Sequence, residues 1–174
     1  HGITRYDQGV AVVNLLLNRA ARWLDVESYL PHEGKVIVRN KTAQSIMIRI
    51  PSWVDMSQVT SSVNGTTSLP SRSGRYLKFS ELDPGDVIQL EFPLVETIGK
   101  YTIHKTQYTL TFRGSTLVDI QPRIQPAGSY PLYLRDHLRS SNTPMKTVEY
   151  FVSDGDIPLT PVEFTSTAGL LQVR

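Results

Sequence analysis

The sequence of 174 residues contains no cysteine. Disulfide bonds, thiolate zinc sites and cysteine nucleophiles are therefore excluded within it. Its apolar runs are all far shorter than the ~20 residues that a transmembrane helix needs. The formal net charge is only +2 and no block of like charges occurs, so the sequence predicts neither a nucleic-acid nor a membrane partner.

Motifs that bind metals or cofactors are also absent. There is no Gly-x-Ser-x-Gly elbow, no phosphate-binding glycine loop and no short metal-ligand spacing among the histidines His1, His32, His104 and His137. Asp83 and Asp86 flank Pro84-Gly85, which is ordinary turn chemistry rather than a calcium loop. We therefore expect no metal, no cofactor and no catalytic residue in this chain.

What the sequence does contain is a series of short segments of alternating polarity. Ile46, Ile48 and Ile50 alternate with polar or larger residues, which is typical of a half-buried strand. The turn signals Asn64-Gly65 and Asp83-Pro84-Gly85-Asp86 separate further segments of this kind. Strands with turns about every eight to twelve residues predict an all-β fold, an antiparallel, jelly-roll-like β-sandwich over residues 8–122.

Two regions are less regular. Residues 10–18 fit a short helix or a buried strand, and we favour a strand because the segments that follow are β. Beyond Pro122, prolines and glycines interrupt every short apolar piece. We therefore predict that residues 123–174 form an irregular arm that packs on the sandwich or extends it, with residues 147–152 as a further candidate strand.

Two charged clusters allow a functional interpretation and a structural one. Asp25 and Glu27 would share a strand face, but catalytic carboxylates normally come from different elements, so we interpret them as a solvated face. His137 with Asp136, Arg135 and Arg139 could bind an anion. We favour the interpretation that this cluster anchors the arm to the sandwich through salt bridges, or is solvated.

Aromatic side chains are the remaining candidates for ligand binding. Such rings stack on sugar rings in carbohydrate-binding modules, but they more often pack in a core or a domain interface. The candidate carbohydrate-contact residues are Trp23, Tyr29, Trp53, Tyr130 and Tyr133.

A set of short motifs resembles the β-L-arabinofuranosidase-like enzymes, glycoside hydrolase family 127 and its uncharacterised relatives. The resemblance covers roughly residues 8–120. The motifs are, in order, Val13-Asn14-Leu15, Ser28-Tyr29-Leu30-Pro31, Gly34-Lys35-Val36, Arg49-Ile50-Pro51-Ser52-Trp53, Val63-Asn64-Gly65, Gly85-Asp86 with Leu90, and Arg113-Gly114 with Leu117-Val118.

The resemblance implies an (α/α)6 catalytic barrel followed by β-sandwich domains. It places the zinc-bound cysteine nucleophile and the glutamate acid/base in the barrel, so no family catalytic residue falls on this chain. The family usually follows the Arg113-Gly114 pair with proline, where this chain has Ser115. Because the chain begins with His1 and no leader follows, we expect a fragment or a processed form, which leaves the localisation open.

The sequence thus predicts a non-catalytic accessory β-sandwich whose partner is the helical barrel of the same parent protein. Two alternatives stay open. One is a carbohydrate-binding module that targets the parent to plant polysaccharide. The other is a structural domain that forms a homo-oligomer.

Overall fold

The computed structural model describes residues 2–123 and 135–144. Two 3-10 turns, Met56–Gln58 and Asp136–Arg139, are its helical elements, and neither is long or apolar enough to cross a membrane. The strands are β1 Thr4–Asp7, β2 Val10–Val13, β3 Arg19–Ala20, β4 Leu24–Ser28, β5 Lys35–Asn40, β6 Ser45–Arg49, β7 Thr60–Val63, β8 Thr66–Thr67, β9 Ser71–Ser73, β10 Tyr76–Ser80, β11 Val87–Glu91, β12 Glu96–Ile103, β13 Thr106–Arg113 and β14 Thr116–Gln121.

Two sheets enclose one hydrophobic core. One sheet has the strand order β1-β2-β6-β10-β9, and the other has the order β3-β4-β5-β11-β7-β8. Alternate residues of both sheets meet in a single buried cluster, as the period-2 pattern predicts. Its strand residues include Val13, Leu24, Val26, Val36, Val38, Ile46, Ile48, Leu77, Phe79, Ile88 and Leu90. The predicted all-β sandwich is confirmed, with one departure from antiparallel pairing, the parallel pair β2 and β6.

Strands β12, β13 and β14 form a separate three-stranded antiparallel sheet. The sequence pattern predicts these strands as part of the sandwich. In the described residues they pair only with one another. One face of this sheet carries Tyr108, Leu110 and Phe112, whereas the other carries Thr109 and Thr111, which lie opposite Lys100 and Ile98 of β12. Strand β13 is therefore amphipathic, whereas Ile98 of β12 lies on its polar side and is 71% exposed.

The predicted strand over residues 10–18 is correct only in part. Strand β2 ends at Val13, and residues 14–18 form an irregular loop. Within that loop Leu16 is buried, while Leu15 and Leu17 are 45% and 51% exposed. Beyond Val13, the N–H groups of Asn14 and Leu15 both donate to the Ile3 carbonyl, at 2.8 and 3.4 Å, and the β1–β2 ladder ends there in the described residues.

Candidate functional site: a pocket between the sandwich and the third sheet

A pocket of about 370 Å³ opens where the sandwich meets the third sheet. Four chain segments supply its walls: the 14–18 loop, the end of β4 with the residues after it, the end of β6 with the turn after it, and the β13–β14 turn. The lining residues are Asn14, Leu15, Leu16, Leu17, Asn18, Ser28, Leu30, Arg49, Pro51, Ser52, Trp53, Arg113, Ser115 and Thr116.

Two asparagine side chains hold the 14–18 loop in place. The Asn14 Oδ1 accepts a hydrogen bond from the Tyr76 hydroxyl at 2.9 Å, and the Asn18 Oδ1 accepts one from the Ser28 N–H at 2.6 Å. Because both ends of the loop are tied to strands of the two sheets, its leucines are presented at a defined position.

Arg75 fixes the turn that carries Trp53. Its Nε donates to the Ile50 carbonyl at 2.9 Å, and its Nη2 donates to the carbonyls of Pro51 and of Val54, the latter at 2.7 Å. Pro51 has no N–H for a sheet ladder, so β6 ends before it, as the sequence predicts. The guanidinium thus donates to three carbonyls of this turn, and the Pro51 carbonyl also accepts the Val54 N–H at 3.1 Å.

Trp53 connects the sandwich to the β13–β14 turn. Its Nε1 donates to the Ser115 Oγ at 2.7 Å. Its ring packs edge-on against the Phe92 ring, with the ring centroids 5.7 Å apart. A Cβ atom at Gly114 would lie only 2.7 Å from the Trp53 ring. Packing between two sheets is thus the structural use of Trp53, and whether it also contacts carbohydrate stays a prediction.

The other predicted aromatic contacts lie elsewhere. Trp23 stacks on Tyr6 with ring centroids 5.4 Å apart, and the Lys35 ammonium lies 3.9 Å from the centre of the Tyr29 ring. Neither Trp23 nor Tyr29 lines the pocket. Tyr130 and Tyr133 lie outside the described residues, so a shared surface of aromatic rings that binds sugar stays a prediction. The candidate strand 147–152 also lies outside the described residues.

The carboxylates singled out in the sequence take part in local pairs. Asp25 binds Lys41 and Glu27 binds Arg39, each with an N–O distance of 2.6 Å. The Glu27 carboxylate raises the pKa of Arg39 by hydrogen bonding. Within residues 2–123 and 135–144, no three His, Asp or Glu side chains are placed to hold a metal ion.

The turn predicted at Asp83 to Asp86 is present. The Asp86 carboxylate accepts hydrogen bonds from the Asp83 N–H at 2.8 Å and from the Asn64 side-chain amide at 2.7 Å. Gly85 adopts a φ of 96° and Asn64 a φ of 52°, the left-handed region that both residue types tolerate. The Asp86 carboxylate therefore connects the Asp83–Asp86 turn to the Asn64–Gly65 turn.

The cluster around His137 contacts the third sheet, and its anchoring to the sandwich stays a prediction. Asp136 lies 3.2 Å from Arg123, and Arg139 lies 3.8 Å from Glu96. Arg113 donates to the carbonyls of Arg139 and Ser140. These contacts hold residues 135–144 beside the pocket.

The same segment reaches the sandwich at its other end. The Thr143 hydroxyl donates to the Glu33 carboxylate at 2.8 Å, and the Thr143 N–H donates to it at 3.2 Å. These two hydrogen bonds lower the pKa of Glu33, because they stabilise the charged form. His32, which is buried, adds a contact of 3.0 Å between its Nδ1 and the Ser140 carbonyl oxygen.

Sequence reasoning did not find the pocket. The sequence pattern places Arg49 on the polar side of a strand and Leu17 in an apolar run. The motifs that resemble the family include the pocket residues Asn14, Leu15, Arg49, Trp53 and Arg113, but their order along the chain does not show that they meet.

Comparison with known proteins supports the resemblance stated from the sequence. Residues 13–94 match the family described as beta-L-arabinofuranosidase, GH127 middle domain. The resemblance is therefore confirmed, and these residues form a GH127-like β-sandwich region. None of the curated proteins matches the chain.

Two solved structures share the fold. The GH127 β-L-arabinofuranosidase from Geobacillus stearothermophilus T6 is 16% identical with a TM-score of 0.51, over 66% of this chain and 21% of the enzyme. Another GH127 β-arabinofuranosidase is 20% identical with a TM-score of 0.52, over 66% of this chain and 23% of the enzyme. The chain thus spans about a fifth of the length of these enzymes, and at such identities the similarity shows the fold alone.

Proposed function

We propose that this chain, whose residues 13–94 form a GH127-like middle domain, is the non-catalytic accessory sandwich of a larger glycoside-hydrolase-like protein. The single observation that carries the proposal is the match of those residues to a middle domain rather than to a catalytic one. The chain also spans only about a fifth of the related enzymes, so most of the mass of such a protein lies in other domains.

The chemistry of the chain supports the same role. It has no cysteine, whereas the family resemblance implies a zinc-bound cysteine nucleophile. Asp25 and Glu27, the closest carboxylate pair in the sequence that was considered for catalysis, each bind a separate cation.

The partner in this proposal is a helical barrel of the same parent protein. Leu15 and Leu17 support it, because their side chains are about half exposed on either side of the buried Leu16, in a loop that hydrogen bonds fix in place. Exposed apolar side chains on a rigid loop are stabilised when a partner covers them. We propose that the barrel covers this loop and that the sandwich shapes the entrance to the barrel's substrate site.

Association in trans tests the proposal. The chain, mixed with the parent protein that lacks it, is expected to co-elute in size-exclusion chromatography and to raise the thermal midpoint of the truncated parent. The double variant Leu15→Asp/Leu17→Asp should abolish both effects. Leu69→Asp is the matched control, because Leu69 is 97% exposed on a separate turn. If the double variant associates as well as the wild type, the 14–18 loop is not part of the contact. If the wild-type chain itself does not associate with the truncated parent, the accessory role is overturned.

A further inference from the structure

The pocket between the sandwich and the third sheet has an unbalanced charge. Its lining contains two arginines, Arg49 and Arg113, and no aspartate or glutamate. Surface charges on this protein are otherwise closely matched, with 18 basic and 16 acidic residues. A concave site lined by one sign of charge concentrates ligands of the opposite sign.

The two guanidinium groups keep donors available. In the part of the chain that the structure describes, the Arg49 side chain makes no hydrogen bond and no ion pair. Arg113 uses its Nη1 on the carbonyls of Arg139 and Ser140, at 2.9 and 3.1 Å, and has no carboxylate partner there. Since a guanidinium has five N–H donors, both side chains can still bind an anion, and a planar carboxylate matches the geometry of the fork.

The other lining residues suit a ligand that carries several hydroxyl groups. Asn14, Asn18, Ser52 and Thr116 bring amides and hydroxyls, while Leu15, Leu17 and Trp53 bring apolar surface. This mixture is what a sugar ring requires, because its C–H faces are apolar and its edges carry hydroxyls. The volume of about 370 Å³ lies near the lower end of the range of small-ligand pockets, roughly 300–1,000 Å³.

We propose that this pocket binds a single uronic acid residue. The Arg49 guanidinium binds the carboxylate of the sugar, and Arg113 provides a second positive charge in the same pocket. The inference does not depend on the accessory role, because it concerns the binding of a small acid to this chain alone. Small-ligand sites often lie near domain interfaces, so the two proposals are compatible.

Calorimetric titration of the 174-residue chain with D-glucuronate, at low and at high salt, tests the proposal. The methyl ester of glucuronic acid and D-glucose are the neutral controls, since both keep the ring and lack the charge. We expect glucuronate to bind at least about tenfold more tightly than either control. Its affinity should fall as salt is raised, because an exposed guanidinium–carboxylate pair is screened.

Variants assign the binding to the pocket. Arg49→Gln should weaken glucuronate binding about tenfold or more, and Ser52→Asp should do the same by placing a like charge in the site. Lys78→Gln is the matched control, because it removes one positive charge from an exposed position of β10 and should leave binding unchanged. Equal binding of glucuronate and its ester would overturn the proposal. So would no glucuronate binding up to about 10 mM, or equal loss in Arg49→Gln and Lys78→Gln.

Discussion

A Cβ atom on Gly114 would lie 2.7 Å from Cζ2 of Trp53, so glycine alone lets the indole ring rest on the β13–β14 turn. Gly114 also has a φ of 59°, in the left-handed region. One residue therefore meets two requirements, a turn conformation and a close approach. The contact ties the sandwich, which carries Trp53, to the third sheet.

Replacing Gly114 with alanine is expected to destabilise the protein through both effects. The left-handed backbone alone costs a non-glycine residue about 1–2 kcal/mol, and crowding against a packed ring adds about 1–3 kcal/mol. Gly74→Ala is the matched control, since Gly74 has a φ of 58° and open space around it. Urea unfolding should show a clearly larger loss for Gly114→Ala, whereas equal losses would show that the ring contact is not stabilising.

Ser115 lies in the β13–β14 turn next to Gly114, and its hydroxyl accepts the Trp53 indole N–H at 2.7 Å. Ser115→Ala should cost about 1 kcal/mol of unfolding free energy, because the indole N–H loses its partner. Ser115→Thr keeps the hydroxyl and should cost less. A Ser115→Ala variant as stable as the wild type in urea unfolding would contradict a stabilising role for this hydrogen bond.

Gly34 lies where no side chain fits, because a Cβ atom there would be 1.9 Å from the Phe92 carbonyl oxygen. The Phe92 N–H also donates to the Gly34 carbonyl at 2.9 Å, so the two backbones are held together. Gly34→Ala should lower the unfolding free energy by about 3 kcal/mol or more. Gly65→Ala, at an open turn position, is the control, and a loss at Gly34 no larger than at Gly65 would contradict the close approach.

The contact between Glu33 and Thr143 should depend on pH. Hydrogen bonds from Thr143 lower the pKa of Glu33 in the folded protein, whereas the unfolded chain titrates near pH 4.3. Their stabilisation is therefore complete above about pH 4.3 and is lost as the pH falls through the folded pKa. Thermal midpoints measured from about pH 6 to pH 3 should fall more for the wild type than for Glu33→Gln.

Glu27→Gln is the control for that experiment, because it removes a different surface carboxylate whose partner is Arg39. Hydrogen exchange should locate the effect, with amides of residues 135–144 losing protection at low pH in the wild type. Parallel midpoint curves for the wild type and Glu33→Gln would show that this contact does not contribute.

Much of the fold could be predicted from local pattern. Buried and less buried positions alternate along β5, β10 and β11, and along β6 from Ile46 onward, so the buried positions Val36, Val38, Ile48 and Leu90 follow from the period of two. Short strands such as β3 and β8, of two residues each, leave no period to detect. The parallel pairing of β2 with β6 and the separation of the third sheet depend on contacts distant in sequence, which no local pattern encodes.

The candidate site could not be predicted for the same reason. Its walls come from residues 14–18, 28–30, 49–53 and 113–116, and only the tertiary fold brings them together. Trp53 was a predicted candidate because it is a large aromatic residue in a motif. Arg49 was not, because an exposed strand residue with no partner looks in the sequence like any other solvated charge.

Hydrolysis by the chain itself is the most direct test of its accessory role. The chain is incubated with an aryl β-L-arabinofuranoside in the presence of zinc and a reducing thiol, and release of the aryl group is followed. We predict no release above that given by the heat-denatured chain. Saturable turnover that is lost on heat denaturation would contradict the non-catalytic role.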